Sequence, residues 1–181
     1  MVDTVAHGEG RMRGLRTQLQ EKRPMDPPRA VEVSQVMRRV CASKHGQLPV
    51  IDLVGPVPLR VQVRAHPERL ERILGHVVQN ALDATNDDGK VSAQLLLLEG
   101  GKARIVVTDT GCGMSPEFLR DRLSRPFQTT KRSGMGIGVF ETRQYLNEIG
   151  GDLQFDSEVG QGTRVTIQLP RLMGGRSDID D

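Results

Sequence analysis

The stretch Arg125-Pro-Phe-Gln-Thr-Thr-Lys131-Arg-Ser133-Gly-Met-Gly-Ile-Gly138 decides how the rest of this chain is read. Gly134, Gly136 and Gly138 recur at every second position and lead into a helix that the pattern predicts from about Ile137 to Ile149, where Gly150–Gly151 stop it. Free N–H groups and the dipole at such a helix start favour phosphate, and Lys131 just upstream adds a point charge. A dinucleotide-binding fingerprint is the obvious competitor. It fails on spacing, and no short strand–turn–helix with a later ribose-binding acid surrounds these glycines. A Walker-type loop is excluded because Gly-Lys-Ser/Thr is missing.

Working outward, the whole of Asp109–Gly138 is rich in Gly, Thr and Pro, with one short helical segment around Pro116–Leu123. A connection of that length with so little regular structure is usually a functional loop or lid. It opens on Asp109-Thr-Gly-Cys-Gly113-Met, directly after a predicted strand. A carboxylate there can accept a hydrogen bond from an exocyclic amine, and glycines let a flat ring approach the backbone. Read by itself, Asp-x-Gly is also an ordinary turn.

Further upstream, His76-Val-Val-Gln-Asn80-Ala-Leu-Asp83-Ala84 lies on a predicted helix. His76, Asn80 and Asp83 share one helical face, so each must meet water, a ligand or its neighbours. The neutral carboxamide oxygen of Asn80 suits Mg²⁺ that keeps its waters and leans on substrate phosphates. A plain solvated face is the competing reading. Gly160-Gln-Gly162-Thr163, before the last strand, reads as a hairpin turn.

The remaining chain fills in a compact α/β unit. Val31 and Val33 suggest a short strand, with Ser34 as the cap of a helix to about Lys44. Pro49–Val54 and Leu59–Val63 alternate as strands, broken at Gly55–Pro58. Pro67 sits at a first helical position, and Leu70, Ile73, Leu74, Val77, Val78 and Ala81 carry that helix to Thr85. Asn86–Gly89 is a turn, Val91–Leu98 and Ala103–Thr108 are paired strands, and Asp152–Ser157 and Gly162–Leu169 are the last two. Residues 1–23 place Val5, Met12 and Leu19 seven apart, a thin stripe that needs a partner helix, and Pro24–Pro28 mark a linker. The tail from Arg171 is expected to be disordered.

Composition narrows the function classes. The 181 residues fit one domain with short flanks, and 25 basic against 23 acidic residues leave no footprint for nucleic acid. Cys41 and Cys112 have neither metal-ligand spacing nor the look of a disulfide framework, which fits a reducing cytoplasm. No run reaches the ~18 apolar residues of a membrane span; a longer parent protein could still be anchored in the inner membrane.

The ordered set Asn80, Asp109-x-Gly-x-Gly113, Phe127, Gly134-x-Gly-x-Gly138 and Gly162-Thr163 resembles the N, F and glycine boxes of the Bergerat-type ATP-binding fold. DNA gyrase, MutL and the histidine kinases share that fold. The phrase Pro126-Phe-Gln-Thr-Thr-Lys131 with the glycines close behind is similar to sensor histidine kinases. Nitrogen-regulation-type kinases and those of exopolysaccharide and exosortase systems are the nearer look-alikes, and Glu141-Thr-Arg-Gln-Tyr145 favours the second group. Residues 11–19 resemble the end of a dimerisation-domain helix.

The resemblance implies an α/β two-layer sandwich over residues 30–170, a mixed, mostly antiparallel sheet with helices on one face. Residues 1–29 would be the remnant of a dimerisation-domain helix with its linker, and 171–181 a tail. It implies ATP and Mg²⁺ as ligands. Asp109 would bind the adenine amine, Gly111 and Gly113 would support the ring, and Thr163 would join that network. Asn80 would coordinate Mg²⁺ and, with His76 and Lys131, form the catalytic set. Asp83, Phe127, Thr129, Thr130, Lys131, Gly134, Met135, Gly136, Ile137 and Gly138 complete the nucleotide contacts, with Phe127 packing to position the lid. Many histidine kinases carry Asn where His76 stands, and the related ATPases carry a Glu general base. His76 is thus either a group that acts near the γ-phosphate or a structural histidine at the site's edge.

The implied partners are a phosphoaccepting dimerisation domain and a response regulator, with a homodimeric parent and no nucleic acid. His7, His45 and His66 lack the setting of a phosphoacceptor, so the chain is expected to bind ATP without autophosphorylating. Competing readings are a gyrase- or MutL-type ATPase, a non-catalytic nucleotide-binding module and an anti-sigma serine kinase. The first predicts Glu at position 76 and a transducer domain after residue 170.

Overall fold

The computed structural model describes residues 26–54, 60–124 and 137–173. Phe127, Thr129, Thr130, Lys131, Gly134, Met135 and Gly136 lie outside the described residues, as do the 1–23 stripe, the break at 55–58 and the end of the tail; Ile137 is described by its backbone alone. In chain order the elements are β1 (Arg29–Glu32), α1 (Val33–Ser43), β2 (Ile51–Val54), β3 (Gln62–Ala65), α2 (Pro67–Ala84), β4 (Val91–Leu98), β5 (Lys102–Asp109), α3 (Pro116–Ser124), α4 (Ile137–Glu148), β6 (Asp152–Glu158) and β7 (Gly162–Pro170). Among the described residues no helix is long and apolar enough to cross a membrane.

Helix α2 forms where its apolar residues fall at helical spacing. Leu70, Ile73, Leu74, Val77, Val78, Ala81 and Leu82 are all buried, Pro67 supplies a preset first turn, and Glu68 suits the positive helix start. Its last turn closes when the Thr85 hydroxyl donates to the Ala81 carbonyl at 2.7 Å. Helix α1 buries Val33, Val36, Met37 and Val40. Ser34 is not its cap: the helix starts one residue earlier, and the Ser34 hydroxyl instead donates to Glu32 at 2.8 Å. Burying each such Leu or Ile is worth about 1.5–3 kcal/mol. The Arg39–Glu71 ion pair is half-exposed, so packing and not charge holds these helices.

Five strands form a sheet in the order β2-β4-β5-β7-β6. It is mixed and mostly antiparallel, because β2 runs parallel to β4 while the other neighbours are antiparallel. The inward rows Val91, Ala93, Leu95, then Ala103, Ile105, Val107, then Val165, Ile167, Leu169 are buried in one core with α1, α2 and α4. Of the strand that alternation predicts at 59–63, Gln62 and Val63 are in a strand while Arg60 and Val61 are not. Strand β3 sits later, at Gln62–Ala65, and leaves the main sheet to pair antiparallel with β1. The tail also departs from expectation at its start. Arg171 bridges to Val63, and the Leu172 N–H donates to the Gln62 carbonyl at 2.7 Å, so β7 runs on into the small sheet.

Tyr145 fastens α4 to the start of α2. It is 1% exposed, its hydroxyl accepts the His66 N–H at 2.8 Å, and the Arg69 guanidinium lies 4.1 Å above its ring. Arg69 continues to Glu148 at 2.8 Å. Tyr145→Phe is expected to lower stability by about 1–2 kcal/mol, since the partly buried His66 amide loses its acceptor. Urea unfolding checks this, with an unchanged slope and a lower midpoint as the expected result.

Candidate functional site

Period two along β5 puts Ala103, Ile105, Val107 and Asp109 on the helix-covered face, and all four are buried. Asp109 is thus the polar last member of an apolar row. Thr163 holds the matching place on β7, where Val165, Ile167 and Leu169 follow, and it is the register partner of Asp109. A cavity of about 510 Å³ lies at this end of the layers. Its polar lining includes His76, Asn80 and Asp83 from α2 and Thr142 from α4. Met114, Phe118, Val139, Phe155 and Val165 make it largely apolar, the composition expected of a small-molecule site of this size.

Asp109 is 5% exposed, and its Oδ1 accepts two backbone N–H groups, Gly111 at 2.8 Å and Thr163 at 3.2 Å. Its Oδ2 has no partner among the described residues. Burial pushes the carboxyl above the usual aspartate range, and the two N–H donors pull back only part of that shift. The carboxylate is therefore held rigidly with one oxygen to offer a donor. Behind it, Thr163 Oγ1 lies 2.8 Å from Ser157 Oγ, which also accepts the Met114 N–H at 2.9 Å and reaches the Gly162 carbonyl at 3.0 Å. With one hydroxyl proton on Ser157 directed to Gly162, Thr163 donates to Ser157 and every group is satisfied.

Seven predicted site residues meet in this cavity: His76, Asn80, Asp83, Asp109, Gly113, Gly138 and Thr163. Gly111 is not among its lining residues; it is buried behind Asp109, and a Cβ there would run into the Ala84 carbonyl. Gly113 has φ +64°, and a Cβ on it would strike the Glu158 carbonyl. The neighbouring 158–162 turn thus imposes a glycine here by itself, at a position that also lines the cavity. Cys112 ties the same pieces together, its N–H donating to the Ala84 carbonyl at 3.0 Å and its carbonyl accepting the Gly160 N–H at 2.8 Å.

Asp83 is exposed and accepts Gln79 Nε2 at 2.8 Å. Asn80 is half-buried, with no side-chain partner among the described residues. The imidazole of His76 packs against the start of α4, 3.3 Å from where a Cβ on Gly138 would lie. Among the described residues no group of three or more His, Cys, Asp or Glu could hold a metal. A metal held through Asn80 would have to lean on ligand oxygens.

Sequence reasoning missed Met114, Ser115, Phe118, Ser157 and Phe155. Ser115-Pro116 carried a usable signal, a capping serine before a first-turn proline, and Ser115 Oγ does accept the Phe118 N–H at 3.2 Å. Ser157 gave none, because its role depends on the β6–β7 register.

Residues 65–173, more than half of the chain, match the family model described as histidine kinase-, DNA gyrase B-, and HSP90-like ATPase. Sporulation kinase E of Bacillus subtilis is 28% identical over 144 residues, covering 76% of this chain and 19% of that protein. Histidine protein kinase DivJ of Caulobacter vibrioides is 32% identical over 154 residues, covering 82% of this chain and 25% of that protein. The chain thus spans a quarter or less of the length of these relatives. The structure of full-length ShkA in complex with AMPPNP superposes with a TM-score of 0.66 at 25% identity, over 80% of this chain and 31% of that one. A buried aspartate at a strand end, an asparagine on the facing helix and a lining of glycines on a five-stranded mixed sheet fit these matches, and the chain belongs to the family of histidine kinase-, DNA gyrase B- and HSP90-like ATPases.

Proposed function

We propose that this chain is the ATP-binding catalytic domain of a sensor histidine kinase. It would transfer the γ-phosphate of ATP to a histidine on a dimerisation domain, from which the phosphate passes to an aspartate of a response regulator. The observation that carries this reading is Asp109, a buried carboxylate with one oxygen fixed by two backbone N–H groups and the other facing the cavity. That oxygen accepts one hydrogen from the exocyclic amine of adenine. The kinase relatives and the AMPPNP complex of ShkA support the choice of an adenine triphosphate.

The residues present fit Mg²⁺ brought in with the nucleotide. Asn80 offers a carboxamide oxygen with no partner among the described residues, and one neutral protein ligand suits a metal that keeps its waters and phosphate oxygens. Mg²⁺, when bound, supplies charge neutralisation at the phosphates. Thr163 and Ser157 keep Asp109 in place, and His76 stands on the Asn80 face of α2, beside the start of α4. Lys131 and the backbone of 134–138 would hold the phosphate tail. Phosphoryl transfer relies mainly on such positioning and charge stabilisation.

Calorimetric titration with ADP and a non-hydrolysable ATP analogue, with and without Mg²⁺, tests the site. Adding a dimerisation domain in trans then tests the reaction, with acid-labile phosphohistidine as the expected product. No binding at millimolar nucleotide would overturn the reading, and release of inorganic phosphate without phosphohistidine would replace it with an ATPase. Asn80→Ala is expected to remove the Mg²⁺ enhancement of ATP affinity, a loss of about tenfold or more. Thermal unfolding should barely change, because Asn80 makes no side-chain hydrogen bond among the described residues. Undiminished Mg²⁺ dependence in this variant would place the metal elsewhere.

A further inference from the structure

We propose that Cys112 is a modification site, where thiol–disulfide exchange with a low-molecular-weight disulfide closes the cavity to nucleotide and bound nucleotide shields the thiol. The inference rests on the nucleotide reading of that cavity.

Cys112 is exposed and lines the cavity. Its main chain is pinned on both sides, to Ala84 and to Gly160, so the residue cannot leave with a swinging loop. An independent observation marks the same space as a ligand's. Asp109, 5% exposed, lines it with one carboxylate oxygen that no described residue satisfies. A group attached to Cys112 therefore competes for the volume into which that oxygen faces.

The other cysteine provides the contrast. Cys41 is half-buried, it packs against the core, and burial pushes its thiol up, which lowers its thiolate fraction. Exchange at Cys112 balances simply. The thiol yields its proton to water, and the thiolate attacks one sulfur of the disulfide. The original S–S bond breaks as the bond to Cys112 forms, and the second half leaves as a thiolate. Cys112 is oxidised, the released half is reduced, and an excess of dithiol reverses the step.

The test uses the Cys41→Ala chain and dithiobis(nitrobenzoate), an aromatic disulfide whose released thiolate is coloured. One thiolate per chain is expected. ADP at about ten times its dissociation constant should slow release about tenfold, in proportion to the free site. The adduct should bind ADP at least about tenfold more weakly, and dithiothreitol should restore binding. With Cys112→Ser added, affinity should be the same before and after the reagent. Mass spectrometry of the wild-type chain maps the adduct independently of any variant. An unreactive Cys112, equal rates with and without saturating ADP, or an adduct that binds ADP undiminished would overturn the inference while leaving the nucleotide site intact. Failure of the unmodified chain to bind ADP would overturn both.

Discussion

Asp109→Asn is expected to weaken ADP binding by about a hundredfold, roughly 3 kcal/mol, while leaving the ligand-free fold as stable or more so. The two effects have opposite signs because the carboxylate serves the ligand at a cost to the chain. An Asn oxygen can still accept the Gly111 and Thr163 N–H groups. The group turned to the cavity then becomes an amide donor, which faces the adenine amine donor-to-donor. Inosine diphosphate, with a carbonyl in place of that amine, should gain on ADP in the variant. Equal losses for ADP and for inorganic triphosphate would show that Asp109 does not read the base.

The pH dependence follows from the same burial. The folded pKa of Asp109 is raised, so its contribution to stability is present below the unfolded value and lost as pH rises through the folded one. Nucleotide binding needs the ionised form. Its acid limb should therefore lie above the ordinary aspartate value of about 3.9, and calorimetry across the acidic range checks this. Asp109→Asn should remove that limb.

Gly113→Ala is expected to destabilise the fold by about 2–5 kcal/mol, the sum of a left-handed alanine and an unrelieved clash. The obstacle is the Glu158 backbone carbonyl, which cannot rotate away as a side chain would. Gly160→Ala is the matched control. It shares the left-handed conformation, at φ +79°, but has nothing within 4 Å of the new methyl. It should cost about 1–2 kcal/mol. Denaturant midpoints for the pair separate conformation from collision, and equal losses would refute the packing account of Gly113.

The elements read best from sequence are those whose evidence is local. Helix α2 was legible because its apolar residues, Pro67 and Thr85 all sit within one stretch. The β4–β5 pair was legible because two alternating runs flank a Gly-containing loop. Asp109 stood out as a carboxylate directly after a predicted strand, whereas its place as the last inward position after Ala103, Ile105 and Val107 appears only in the structure, where β5 extends to include it. What stayed hidden depends on partners distant in sequence. Alternation in 49–54 announced a strand but not a parallel place beside β4, and nothing in 62–65 tells that β3 pairs with β1. Ser157 acquires its role only once β6 is in register with β7, 5 to 6 residues on, and Met114 approaches it from 43 residues away. Arg171 and Leu172 open a polar, Gly-containing tail, yet their backbone completes the free edge of β3.

That edge has a mechanical consequence. Val31 and Arg171 both pair with Val63, so the strands by which the chain enters and leaves flank β3 about 10 Å apart. Strand β7 separates this corner from Thr163 by 8 residues, which is roughly 25 Å of extended chain. The first and last described strands therefore meet at the corner farthest along β7 from the cavity, so a load applied at that corner is shared by β1, β3 and β7 before it reaches the polar end around Asp109.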